Sequence, residues 1–164
     1  MATYKLLIED DELNATDIQF IAIHTSLEDY RLAYFLNRTL SISLSRNKEE
    51  VKVEQKEGTF FYPNYIFEEQ ESMVCWNLIQ NEIQVEQQPK EASYDLFAKS
   101  DQAFISNVYF IPEYKKVNFF IKLQGANELY VINDLIASIN SIDRISTVYS
   151  IDIDNLKSKN NLIF

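Results

Sequence analysis

A chain of 164 residues with 46% hydrophobic and 13% aromatic side chains has the length and composition of one globular domain spanning 1–164, which excludes the disordered and disulfide-framework classes. Gly58 and Gly125 are its only glycines, so there is no glycine-rich phosphate loop, dinucleotide fingerprint or nucleophile elbow, each of which needs several glycines close together. A formal net charge of −10 disfavours general nucleic-acid binding, which draws on Lys and Arg to neutralise phosphates.

The first residues, Met1 to Ile8, break into Glu9-Asp10-Asp11-Glu12, a solvated acidic turn. This is neither a signal peptide nor a membrane span, no stretch reaches the roughly 18 apolar residues a span needs, and a cytoplasmic protein is expected. Asp17 to His24 is mostly apolar and β-branched and predicts a strand. Ser26 then stands as an N-cap with Asp29 three residues on, opening a helix over Leu27 to Leu40. Leu32, Ala33, Leu36 and Leu40 follow the i, i+3, i+4 rule, with Phe35 beside them. Tyr30 and Tyr34 add a second apolar edge, so the helix is packed on two sides or meets a partner.

Ile42 and Leu44 alternate with serines and predict a strand with one wet face. Residues 46–58 are highly charged and are expected as a flexible polar excursion, in which Val51 and Val53 could form a short exposed ribbon. Phe60 to Phe67 predicts an aromatic strand that Pro63 must bend, bulge or confine to an edge. A turn over 68–72 and a partner strand over Met73 to Ile83 complete a hairpin. Residues 84–93 are expected as a loop and Tyr94 to Phe97 as a helical turn. Phe104 to Ile111 and Val117 to Leu123 are expected to pair as an antiparallel hairpin.

Asn127 is placed to cap a second helix over 128–142, with the stripe Leu129, Ile132, Leu135, Ile136, Ile139 and Ile142 turned to a sheet. Alternation from Ile145 to Asp154 predicts a last strand, and Leu162, Ile163 and Phe164 are expected to fold back. This order predicts an α+β domain with a mainly antiparallel sheet and two principal helices on one face. Its first and last segments could be the halves of a ferredoxin-like pair split by an inserted hairpin.

Chemistry-bearing residues are few. One histidine, His24, excludes paired-histidine zinc motifs, and one cysteine, Cys75, excludes Cys-rich metal sites and an intrachain disulfide. No cofactor or metal is expected. Cys75, between Val74 and Trp76, reads as a small buried hydrophobe, and His24 as a strand-end residue. Arg31 either binds an anion near the start of the first helix or pairs with a neighbouring acid.

The segment Ile111-Pro112-Glu113, three residues, then Val117-Asn118-Phe119 reads IPEYKKVNF and resembles the IPExxxVDY family of bacterial proteins, named for that motif. Ser26 to Leu32, Trp76-Asn77-Leu78-Ile79 and the terminal Asn161 to Phe164 are similar too, so the resemblance runs from about residue 15 to the end. It implies a small intracellular bacterial protein and no reaction. The chain departs from the motif at Asn118 and Phe119. An asparagine cannot act as a base, but its amide oxygen accepts a hydrogen bond, so a structural role is expected at position 118. Glu113 is then the one remaining motif acid, at the rim of a turn beside Lys115 and Lys116.

Ten tyrosines, eleven phenylalanines and one tryptophan exceed what two helices and one sheet must obviously bury. The leading expectation is a non-enzymatic protein-binding or adaptor module, with Tyr30, Tyr34, Tyr62 and Tyr65 as its interaction patch. The alternative is a small-ligand regulator or enzyme with a pocket between sheet and helices, where Glu113, His24 and Arg31 form the polar set. A homodimer through an exposed sheet edge is a third.

Overall fold

Apolar alternation along the chain becomes ten β-strands and two helices in a computed structural model that describes residues 18–87, 104–126 and 131–164. The strands are β1 (Ile18–Thr25), β2 (Ser45–Arg46), β3 (Val51–Gln55), β4 (Gly58–Tyr62), β5 (Asn64–Glu69), β6 (Val74–Gln80), β7 (Glu82–Gln87), β8 (Phe104–Tyr109), β9 (Phe119–Gln124) and β10 (Ile145–Ile151). The helices are α1 (Asp29–Leu40) and α2 (Ile132–Asn140). Six strands form one sheet in the order β10-β1-β9-β6-β5-β2, with every neighbouring pair antiparallel. The domain is therefore α+β with a mainly antiparallel sheet, as the element order predicts. Since β1 is antiparallel to both β9 and β10, those two run parallel, with β1 between them and α2 joining them.

Both faces of this sheet are covered. Ile21 and Ile23 of β1 point to the helices, where Leu32 and Leu36 of α1 and Leu135 and Ile139 of α2 pack on Trp76, Leu78, Ile121 and Leu123. Phe20 and Ala22 point the other way, onto Ile79 and Phe120. This second face lies under the β3–β4 hairpin, Phe110-Ile111 and the C-terminal residues Leu156 and Leu162. A central strand buried on both sides has no polar face, which is why β1 reads as a mostly apolar run, unbroken from Phe20 to Ile23.

Several expectations are corrected. The helix begins at Asp29 rather than after Ser26, because the Thr25 hydroxyl accepts from the Leu27 amide at 3.0 Å and holds that stretch as a turn. The strand expected around Ile42 and Leu44 shrinks to Ser45–Arg46, since Asn37 bonds both the amide (2.7 Å) and the carbonyl (3.0 Å) of Leu44 and takes the place of a strand neighbour. Within 46–58, β3 pairs with β4 and buries Val51 and Val53. Here alternation outweighs charge, because the charged side chains take the wet face. Pro63 divides the aromatic run into β4 and β5, which belong to different sheets.

The expected pairing of 104–111 with 117–123 does not occur: β8 pairs with β7, and β9 lies between β1 and β6. Asn81 is the reason. Its Nδ2 donates to the carbonyls of Tyr114 (2.9 Å) and Val117 (2.8 Å), and its Oδ1 accepts from Ile111 N at 3.0 Å. Its backbone carbonyl accepts from Phe110 N at 2.7 Å. The groups a hairpin turn would have paired with each other are thus tied to one asparagine, around a 3-10 turn at Pro112–Tyr114. Residues 84–87, expected as loop, belong to β7. The rest of that loop, the turn at Tyr94 to Phe97, and the Asn127 cap with Leu129 lie outside the described residues. The last strand stops at Ile151, and Asp152 caps a 3-10 turn at Ile153–Asn155.

Candidate functional site

On α1, Leu32, Ala33 and Leu36 are buried against the sheet, while Tyr30 and Tyr34, one turn apart, remain 55% and 59% exposed. With Leu27 and Phe35 they line a groove of about 670 Å³ between α1 and the turn joining α2 to β10, whose Asp143 and Arg144 form the far wall. The Tyr34 and Phe35 rings meet edge to face at 5.5 Å, and the Arg31 guanidinium lies 5.9 Å from the Tyr30 ring centroid. Arg144 adopts a left-handed backbone conformation with φ of 67°, and its carbonyl accepts from the Thr25 hydroxyl at 2.8 Å, which fixes this wall to the end of β1. Neither Arg31 nor Arg144 forms an ion pair among the described residues. Arg46 contrasts with them: it bonds Asp29 at 2.9 Å and Glu50 at 3.3 Å.

Two of the four tyrosines expected at an interaction patch thus line one groove. Tyr65 lies apart, half-buried on β5, with the Arg46 guanidinium 5.7 Å from its ring centroid. Burial, then the Asp29 carboxylate, raise its phenol pKa. Tyr62 is corrected outright: it is fully buried on the opposite face of the sheet. Alternation along β4 turns Phe60 and Tyr62 inward, with Phe110 at 5.4 Å from Tyr62, and leaves Phe61 exposed. The Tyr62 hydroxyl accepts from Gln55 at 3.2 Å, and desolvation pushes its pKa up to about 12.

The structure does not bring Glu113, His24 and Arg31 together. His24 follows Phe20 and Ala22 on the face away from the helices, with Nε2 3.3 Å from the Tyr149 hydroxyl and the two rings stacked at 5.7 Å. Glu113 lies on that side too, where its carboxylate accepts from the backbone amide of Ser158 at 2.8 Å and from the Ser158 hydroxyl. Burial opposes its ionisation, but hydrogen bonds from Ser158 together with the backbone amides of Glu113 and Lys157 outweigh it and hold the carboxyl below the usual range. Arg31 is exposed on α1, on the helix side. Between helices and sheet, where a pocket is expected, the space is filled by apolar side chains.

A second, polar concavity of about 690 Å³ includes Thr25, Glu28, Gln80, Glu82 and Asn118 in its lining. Asn118 accepts from the Thr25 amide at 2.9 Å through Oδ1, and its own amide donates to Ile23 O at 3.1 Å. The side-chain oxygen thus joins the end of β1 to the approach to β9, a bond an amide serves as well as a carboxylate.

Sequence patterning missed Phe35, Asp143 and Arg144 as groove residues. The helical period pointed to the two tyrosines, but the far wall comes from a turn more than a hundred residues away. Among the described residues no group of His, Cys, Asp and Glu side chains is placed to hold a metal ion, and no helix is long and apolar enough to cross a membrane. Comparison of the chain with protein-family models, with curated proteins and with solved structures finds no match.

Proposed function

We propose that this chain is a non-enzymatic protein-binding module of the bacterial cytoplasm that docks its partner in the groove along α1. One observation carries the reading: on a helix whose opposite face is fully engaged with the core, two tyrosines one turn apart keep more than half their surface in water beside a groove. Large, stiff aromatic side chains are the usual anchors of protein interfaces, because they bury much area at little conformational cost. The same reading takes the chain as a member of the IPExxxVDY family, on the strength of the IPEYKKVNF segment. It takes the core as ferredoxin-like, supported by the order β10-β1-β9-β6 with both helices on one face.

The test is a side-by-side affinity purification from the native host of the full chain and of Y30A/Y34A, at low and high salt, quantified by mass spectrometry. The expected result is a stoichiometric, salt-resistant protein that the double variant loses, while its melting temperature moves by less than about 2 °C, as for exposed substitutions. Recovery of the same proteins by both, or a collapse of stability in the variant, overturns the reading.

A further inference from the structure

We infer that the segment docking in this groove is an acidic peptide, an apolar side chain flanked by carboxylates; this rests on the groove being the docking surface. The molecule carries a net charge of −10, yet the lining of this groove sets two arginines against one aspartate. Arg31 and Arg144 stand on opposite walls of the groove, and neither has an ion-pair partner among the described residues. Their guanidinium groups present planar forks that match a carboxylate through two parallel hydrogen bonds.

The Arg31 guanidinium rests against the Tyr30 ring, so less of its freedom is lost on binding, and the backbone of Arg144 is fixed by the strand-end bond through its carbonyl. Between them the aromatic floor of Tyr30, Tyr34 and Phe35 offers apolar contact, and about 670 Å³ accommodates more than one large side chain. Asp143 is the single acid on the lining, so the carboxylates of the peptide belong toward Arg31 and the outer side of Arg144. A nucleic acid would need many phosphate contacts, which two arginines on a strongly acidic protein do not supply.

The experiment is selection of a random peptide library displayed on phage against the immobilised full chain, with counter-screens on R31E/R144E and on Y30A/Y34A. Melting curves are recorded first to establish that both variants fold. The expected outcome is enrichment of peptides rich in Asp and Glu around Leu, Phe or Trp. Synthesised and measured by fluorescence anisotropy, these lose about tenfold in affinity on R31E/R144E, the size of two partly exposed ion pairs, and about thirtyfold or more on Y30A/Y34A. Enriched peptides without acidic bias, lost on Y30A/Y34A but retained on R31E/R144E, overturn this inference and leave the docking surface standing. If no enriched peptide depends on Tyr30 and Tyr34, both fall.

Discussion

Asn81 has no exposed surface, and its side chain satisfies three backbone groups from the segment between β8 and β9. Removing it leaves the Val117 carbonyl and the Ile111 amide without partners in the interior, each costing on the order of 1 kcal/mol or more, while the Tyr114 carbonyl keeps the Val117 amide at 3.0 Å. N81A is therefore expected to lose about 2 kcal/mol of stability, read from the midpoint of urea unfolding at unchanged slope. Lys122 is the one buried ionisable polar side chain among the described residues outside the tyrosines. Its ammonium donates to Leu162 O at 2.7 Å and lies 4.0 Å from the Phe164 ring centroid, and desolvation lowers its pKa.

For Lys122 the folded-state value lies below the unfolded value of about 10.4, so between the two the unfolded chain binds more protons and stability rises with pH. The cost of the buried charge is fully present below the folded value and is relieved as pH approaches the unfolded one. K122M removes this linkage. Stability of the natural chain relative to K122M is expected to increase between pH 7 and pH 10.5 in urea titrations; a constant difference would sink the argument.

At the scale of elements, the C-terminal segment is held to the sheet by Glu113 on Ser158, by Lys122 on Leu162, and by Asn161, whose amide donates to Phe110 O at 2.6 Å. Because the folded-state pKa of Glu113 is lowered, the stabilisation from its ionised form is present above the unfolded carboxyl value of about 4.3 and is lost as pH falls through the folded value. E113Q is expected to cost about 1 kcal/mol at pH 7 and nothing further in acid, so its melting curve and that of the natural chain converge at low pH.

Legibility from sequence follows the same physics. Elements whose signal is local are readable: β1 and β6 as apolar runs, and α1, β9 and β10 through the burial of a repeating face written in neighbouring residues. The pairing of β8 with β7 is not, because it depends on Asn81 meeting residues about thirty positions away. The burial of Tyr62 is hidden for a related reason: alternation shows that Phe60 and Tyr62 share a face and Phe61 takes the other, but not which face is inward until register with β3 is known. Of the candidate site, the helical half was legible and the wall at Asp143 and Arg144 was not.

Over the whole molecule, acids outnumber bases by 25 to 15, and the resulting self-repulsion opposes compaction. Raising ionic strength from about 10 mM to 150 mM shortens the screening length from roughly 30 Å to 8 Å. The melting temperature is expected to rise over that interval, as scanning calorimetry would show; a fall would mean that the few surface ion pairs outweigh the net charge.

The two coverings of the sheet differ in optical content as well as composition. The chain's one tryptophan, Trp76, is buried among the residues that contact α1 and α2, whereas the opposite face carries Phe20, Phe110, Phe120 and Tyr62. Tryptophan emission accordingly monitors the helical side alone. Loosening of the C-terminal segment from the other side would leave that signal unchanged while altering tyrosine absorbance. A spread between the two transitions would therefore measure how independently the two layers melt.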